Sequence, residues 1–211
     1  MRAPLRIGLD FDNTIVRYDD VFHRVALERG LIPADLPATK GSVRDYLRRA
    51  GREDAWTEMQ GYVYGPRMKD AAMFPGVFDF LQFCRSREVI TFIISHKTQK
   101  PYLGPEYDLH QAARDWIEAQ GFYDPARGGL ARDHVYFELT KDAKLKRIAA
   151  TGCSAFIDDL PEFLAEPTFP AGVRKVLFNP SDASNALSDQ TPVRSWAEAT
   201  DFISNLLEHH D

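Results

Sequence analysis

An apolar run near the start of the chain, "IGLDFDNTIV" (7–16), delivers two carboxylates two residues apart, Asp10 and Asp12, and then a hydroxyl, Thr14. A second short run, "SAFIDDL", ends in two adjacent acids, Asp158 and Asp159. Strands that bury their side chains exclude charge unless it is paired or binds a cation. Acids from different strands brought to one point repel each other and stay ionised only with a cation between them. Carboxylate oxygens and waters suit Mg²⁺. Such a site attracts a phosphate. One carboxylate can attack phosphorus to form an aspartyl-phosphate. A second, two residues along, can protonate the leaving oxygen and then activate water. The other phosphoryl oxygens need a hydroxyl and an ammonium. Thr14, Ser95 at the end of "VITFIIS", and Lys141 or Lys144 in "TKDAKLKRIAATG" are the candidates.

This chemistry needs elements that deliver side chains from distant parts of the chain to one place. Five short apolar runs read as strands: 5–11, 89–95, 134–139, 154–158 and 174–179. Several are nearly continuous in apolar residues, the pattern of strands covered on both faces of a parallel sheet. Helical patterns separate them. Val77, Phe80, Leu81 and Cys84 recur at helical spacing, as do Leu109, Ala112, Ala113, Trp116 and Ile117, with Gly121 as a stop. Thr140 and Gly152 bracket another helix, and Ser195 with Glu198 has capping-box spacing ahead of Phe202, Ile203 and Leu206. Alternating strands and helices predict an open α/β sheet of Rossmann-like type, with ligands at the carboxyl ends of its strands. Asp10, Ser95, Asp158 and the start of the Thr140 helix all fall at that end.

The interval between the first two strands is too long for one crossover helix. Residues 18–73 read as helices with short Pro and Gly breaks, "VFHRVALERGL", "GSVRDYLRRAG" and "DAWTEMQGYVYG". The expected organisation is therefore a core formed by 1–17 and 74–211, with a helical cap inserted over 18–73.

Composition narrows the partners. The 211-residue chain is 44% hydrophobic and 27% charged with a formal net charge of -5, an ordinary globular balance without the basic face that a broad nucleic-acid footprint requires. Cys84 and Cys153 lie in no metal-ligand spacing and read as two buried thiols. No run approaches the length of a membrane span, and "MRAPLRIGLD" lacks a signal-peptide core. The expectation is a cytoplasmic protein with no membrane and no nucleic-acid partner, acting on a small phosphorylated metabolite. Oligomeric state is left open by the sequence.

Taken together, Asp10-Phe11-Asp12-Asn13-Thr14, the Ser95 strand end, the Lys141/Lys144 helix and the Asp158-Asp159 pair resemble the four motifs of the haloacid dehalogenase-like (HAD) hydrolase superfamily, in its phosphatase branch, over residues 5 to about 180. The resemblance implies a HAD-like core with an inserted cap. It implies Asp10 as nucleophile and Asp12 as general acid and base, with the Asp12 backbone carbonyl also on Mg²⁺. Thr14, Ser95 and one of Lys141 and Lys144 would hold the phosphoryl group, and Asp10 and Asp158 would complete the metal shell, with Asp159 assisting directly or through water. An acid at position 12 favours phosphoryl transfer over dehalogenation. Helix side chains lean toward the N-terminus, which favours Lys144 for reach, whereas Lys141 starts nearer the strand ends.

For the leaving group, Arg67 in "YGPRM" could meet a second anionic group, and His96 with Lys97 directly follows Ser95. Tyr18, His23, Trp56, Tyr62 and Tyr64 are further candidates, and the helical spacing of the tyrosines favours a core role over a ligand role. A phosphomutase or nucleotidase with the same acids, and a non-catalytic protein that binds a phosphorylated ligand, are the competing readings. A receiver domain, which places its acidic pair after the first strand, does not match this motif order.

Overall fold

The computed structural model describes residues 4–181 and 186–209. Six strands form one sheet: β1 (Arg6–Leu9), β4 (Ile90–His96), β5 (Val135–Glu138), β6 (Ala155–Asp158), β7 (Arg174–Phe178) and β8 (Gln190–Val193), in the order β5-β4-β1-β6-β7-β8. Every pairing is parallel. The registers Leu9↔Ile93, Leu9↔Ile157 and His96↔Glu138 bring the carboxyl ends of β1, β4, β5 and β6 level with one another. A two-stranded antiparallel ribbon pairs β2 (Val16–Arg17) with β3 (Ala72–Met73). This is the Rossmann-like α/β architecture that the apolar runs predict, and all five expected strands are present.

The central strands are continuous in apolar residues because both faces are covered. Ile7 and Leu9 of β1, Ile93 and Ile94 of β4 and Phe156 and Ile157 of β6 are all buried. Gly8 is required by packing: a Cβ there would come within 2.5 Å of the Phe156 ring. Among the helices, α4 (Val77–Ser86) buries Val77, Phe80, Leu81 and Cys84, the stripe read from spacing. In α6 (Lys141–Ala150) the Thr140 side chain caps the helix by accepting from the Ala143 N–H, and Gly152 follows at φ 65°. Ser195 caps α8 (Trp196–Glu208) through the Glu198 N–H. A short helix, α7 (Pro161–Leu164), starts on a proline.

The chain divides into two compact units. The first comprises Met1–Ile15, Phe74–His96 and Gly121–Asp211 and contains the whole six-stranded sheet. The second comprises Val16–Met73 and Lys97–Gln120. It holds α1 (Asp19–Glu28), α2 (Lys40–Arg49), α3 (Glu53–Tyr64) and α5 (Leu109–Gln120).

Residues 97–120, assigned to the core by strand–helix alternation, thus gather with 16–73 instead. The physical reason is close packing on α3. A Cβ at Gly61 would lie 2.6 Å from Pro101, and one at Gly65 would lie 2.8 Å from Tyr107. The indole Nε1–H of Trp116 also donates to the Ala71 carbonyl at 3.0 Å. Within this unit Tyr18, Phe22, Trp56 and Tyr64 pack edge to face or tilted on one another, so these aromatics form a core.

Candidate active site

The site is built in the first unit, where β1, β4 and β6 end. Asp10 directly follows β1, and its backbone N–H donates to the Ile157 carbonyl at 2.8 Å, so the parallel ladder fixes its position. The chain then turns sharply through Asn13 at φ 61°, a left-handed conformation that Asn tolerates better than most residues. This turn places Asp12 at the cavity and sends Thr14 inward, fully buried. Ser95 and Asp158 are the buried final positions of β4 and β6 or their neighbours, and Lys144 projects from the first turn of α6.

These groups meet. Ser95 Oγ donates to Asp10 Oδ1 at 2.8 Å. Lys144 Nζ donates to Asp10 Oδ1 and to Asp158 Oδ2, both at 2.6 Å. Asp158 Oδ1 accepts the Leu160 N–H at 2.9 Å, which orients that carboxylate after the strand. Thr14 Oγ1 donates to Asp159 Oδ1 at 3.4 Å. Asp10, Asp158 and Asp159 each offer one oxygen, and the three oxygens lie within 4.8 Å of one another. The carboxylate of Asp12 stands outside that trio, and its implied metal contact runs through the backbone carbonyl.

The electrostatics follow from burial. With the side chains of the chain alone, burial pushes the Asp10 carboxyl up to about 7; Lys144 opposes this, while Asp158 and Asp12 add to it. Burial disfavours the Lys144 charge, but Asp10 and Asp158 more than offset it and hold the ammonium protonated well above the usual lysine range. Four acids around one buried ammonium leave the locus net negative. Three close carboxylates with hard oxygen donors are the donor set of a divalent cation such as Mg²⁺.

The structure separates the two lysines. Lys144 is buried among the acids, and its Nζ also packs 4.0 Å from the Phe163 ring centre. Lys141 lines the same cavity of about 100 Å³, but its side chain is half-exposed and its ammonium lies 3.9 Å from Glu166. His96 ends β4 at the cavity wall. Desolvation holds its ring below the ordinary histidine value, with Lys144 and Lys141 adding to the effect and the Leu139 backbone opposing it.

Arg67 belongs to the second unit, where Glu28 and Asp70 clamp its guanidinium, Nη1 to Glu28 Oε2 and Nε to Asp70 Oδ2. The sequence marks neither of these two acids as its partner, and one of them lies 39 residues away.

No protein-family model and no curated protein sequence matches the chain. Solved structures do match it, along nearly its whole length. A HAD family hydrolase of Deinococcus radiodurans, with bound phosphate and sodium, aligns over 97% of each chain at TM-score 0.59 and 16% identity. The candidate HAD-hydrolase YfnB of Bacillus subtilis, bound to magnesium, aligns over 96% of this chain and 99% of its own at TM-score 0.58 and 14% identity. A haloacid dehalogenase-like family hydrolase of Xanthomonas campestris aligns over 98% and 97% at TM-score 0.55 and 12% identity. A dehalogenase is similar as well, at TM-score 0.52 and 13% identity. What these neighbours share with the chain is the fold, and that fold is HAD-like.

Proposed function

We propose that the protein is a Mg²⁺-dependent phosphatase that hydrolyses a small phosphomonoester through an aspartyl-phosphate on Asp10. The observation that carries this reading is the meeting of Asp10 with Ser95 and Lys144 at hydrogen-bond distance, with Lys144 also donating to Asp158, at the level ends of three parallel strands. The HAD-like fold and the acid at position 12 support it.

In this reading Asp10 attacks phosphorus through Oδ2, since Ser95 and Lys144 both engage Oδ1. The ester P–O bond breaks, and Asp12 gives its proton to the leaving oxygen. Asp12 then takes a proton from water, which attacks phosphorus and releases inorganic phosphate and the Asp10 carboxylate. Ser95, Lys144 and Thr14 donate to the phosphoryl oxygens as charge spreads over them. Mg²⁺, held by Asp10, Asp158, Asp159 and the Asp12 carbonyl, would neutralise phosphoryl charge. The helical second unit is proposed as the cap, with residues 97–120 added to 18–73.

The test is release of inorganic phosphate from a panel of phosphomonoesters with Mg²⁺, beside Asp10→Asn. Turnover by the natural chain and none by the variant supports the reading. Turnover retained in Asp10→Asn, or no ester turned over at all, removes it.

A further inference from the structure

The second unit holds a cavity of about 500 Å³, lined by residues of that unit alone and of a size that suits a small ligand. One wall is α5, and the other is the turn after α3, with Pro66, Met68 and Lys69. On α5, Ala112, Trp116 and Ala119 recur at i, i+4 and i+7 and share one face, so two small side chains flank a large one and leave an apolar hollow. Both walls are fixed. The Trp116 indole donates to the Ala71 carbonyl at 3.0 Å. The Met68 N–H donates to the Gly65 carbonyl at 3.0 Å, and a Cβ at Gly65 would lie 2.8 Å from Tyr107, so the turn sits close against the segment that leads into α5.

Three charged side chains line the hollow. Asp108 is committed to the start of α5, where its Oδ1 accepts the Gln111 N–H at 2.9 Å. Asp115 accepts from the Gln111 side-chain amide at 2.7 Å, and Lys69 stands on the turn. Both are exposed, and among the described residues neither forms an ion pair, with the other or with a third group. A purely apolar ligand would leave both charges without a partner, and a ligand of one charge would satisfy one and meet repulsion from the other. A molecule with an ammonium, a carboxylate and an apolar body matches all three features of the cavity.

We propose that this cavity binds a small zwitterion with an apolar body, of the class of large apolar amino acids and their dipeptides, with its ammonium at Asp115 and its carboxylate at Lys69. The proposal does not rest on the phosphatase reading.

The experiment is calorimetric titration of the full chain with tryptophan and with the dipeptide leucyl-phenylalanine. Saturable binding of either probe that weakens by about tenfold in Lys69→Gln and in Asp115→Asn establishes the site. Both side chains are exposed, and Asn at 115 keeps an oxygen for Gln111, so the two variants should melt as the natural chain does. Tryptamine, which lacks the carboxylate, should bind the natural chain and Lys69→Gln alike. No saturable binding of either probe, or an affinity equal in the natural chain and both variants, overturns the proposal. A loss confined to one variant overturns it as well, because the ligand then needs a single charge. The titration needs no turnover, so failure of the phosphatase reading and failure of this site are read independently.

Discussion

Lys144 and Arg67 each hold two carboxylates, in opposite surroundings. Lys144 bridges Asp10 and Asp158, and all three side chains are at most 7% exposed. Arg67 bridges Glu28 and Asp70 with its side chain 16% exposed and its partners 46% and 30% exposed. The first cluster draws its acids from two parallel strands, where backbone pairing fixes them and water cannot screen them. The second draws them from α1 and the turn after α3, where water competes for every charge. One cation with two acids is therefore a desolvated assembly at the strand ends and a solvated clamp on the helices. In the proposed phosphatase reading, the former exchanges partners with an incoming anion and cation.

Removing the centre of the strand-end cluster should have the largest effect. Asp10→Asn keeps the shape and hydrogen bonding but loses the nucleophile, and phosphate release should fall by at least about 10³-fold. The Ser95 and Lys144 contacts should survive, so the variant should still bind phosphate. A variant with substantial turnover would mean that the cluster holds charge but does no covalent chemistry.

Lys144→Met comes next. It leaves Asp10 and Asp158 buried without their shared ammonium, and breaking such a pair costs about 3–5 kcal/mol. Chemical denaturation should show that loss in metal-free buffer, and Mg²⁺ should recover part of it by supplying another cation. Lys141→Met, at a half-exposed side chain 3.9 Å from Glu166, should change stability little. Equal losses for the two lysines would erase the distinction between buried and solvated cations.

Mg²⁺ itself ranks third. A ligand that binds only the folded state, at a free concentration of 100 times its Kd, adds about 2.7 kcal/mol. For a chain of this size that corresponds to a rise in Tm of about 5–10 °C. Asp158→Asn should shrink the rise, and Arg67→Ala should leave it intact. An identical melting curve with Mg²⁺ and with chelator would contradict the metal reading of the three acids.

The contrast also explains which features the sequence made legible. The buried strands announced themselves as unbroken apolar runs, because a parallel sheet covered on both faces leaves no polar alternation to blur them. β8 escaped notice because it is a four-residue edge strand reading Gln-Thr-Pro-Val, and an edge tolerates the proline that a central strand rejects. Asp10, Ser95 and Asp158 were legible because each ends a run whose neighbours must pair. The preference for Lys144 over Lys141 followed from the lean of helix side chains, and the structure places Lys144 among the acids. The partners of Arg67 and the rings around Lys40 were not legible. Both depend on helix packing between residues tens of positions apart, with no local pattern to mark them.

The smallest effect belongs to Arg67, and its pH dependence tests the solvated side of the comparison. Hydrogen bonding to Arg67 holds the Glu28 carboxyl below its ordinary value of 4.5, with burial opposing it and the Arg67 charge adding to it. A carboxyl lowered in the folded state contributes stability above its unfolded value, and that contribution disappears as pH falls through the folded value. Arg67→Ala should therefore lower Tm by at most a few degrees at pH 7, and the gap from the natural chain should close as pH falls below 4.5 and through the lowered Glu28 value. Salt at 1 M should narrow the gap at pH 7 as well, because exposed charges are screened within a few ångströms at that strength. A large gap that persists in acid and in salt would show that Arg67 acts through packing, its guanidinium lying 5.9 Å from the Tyr62 ring centre. The clamp would then resemble the buried cluster more closely than its exposure implies.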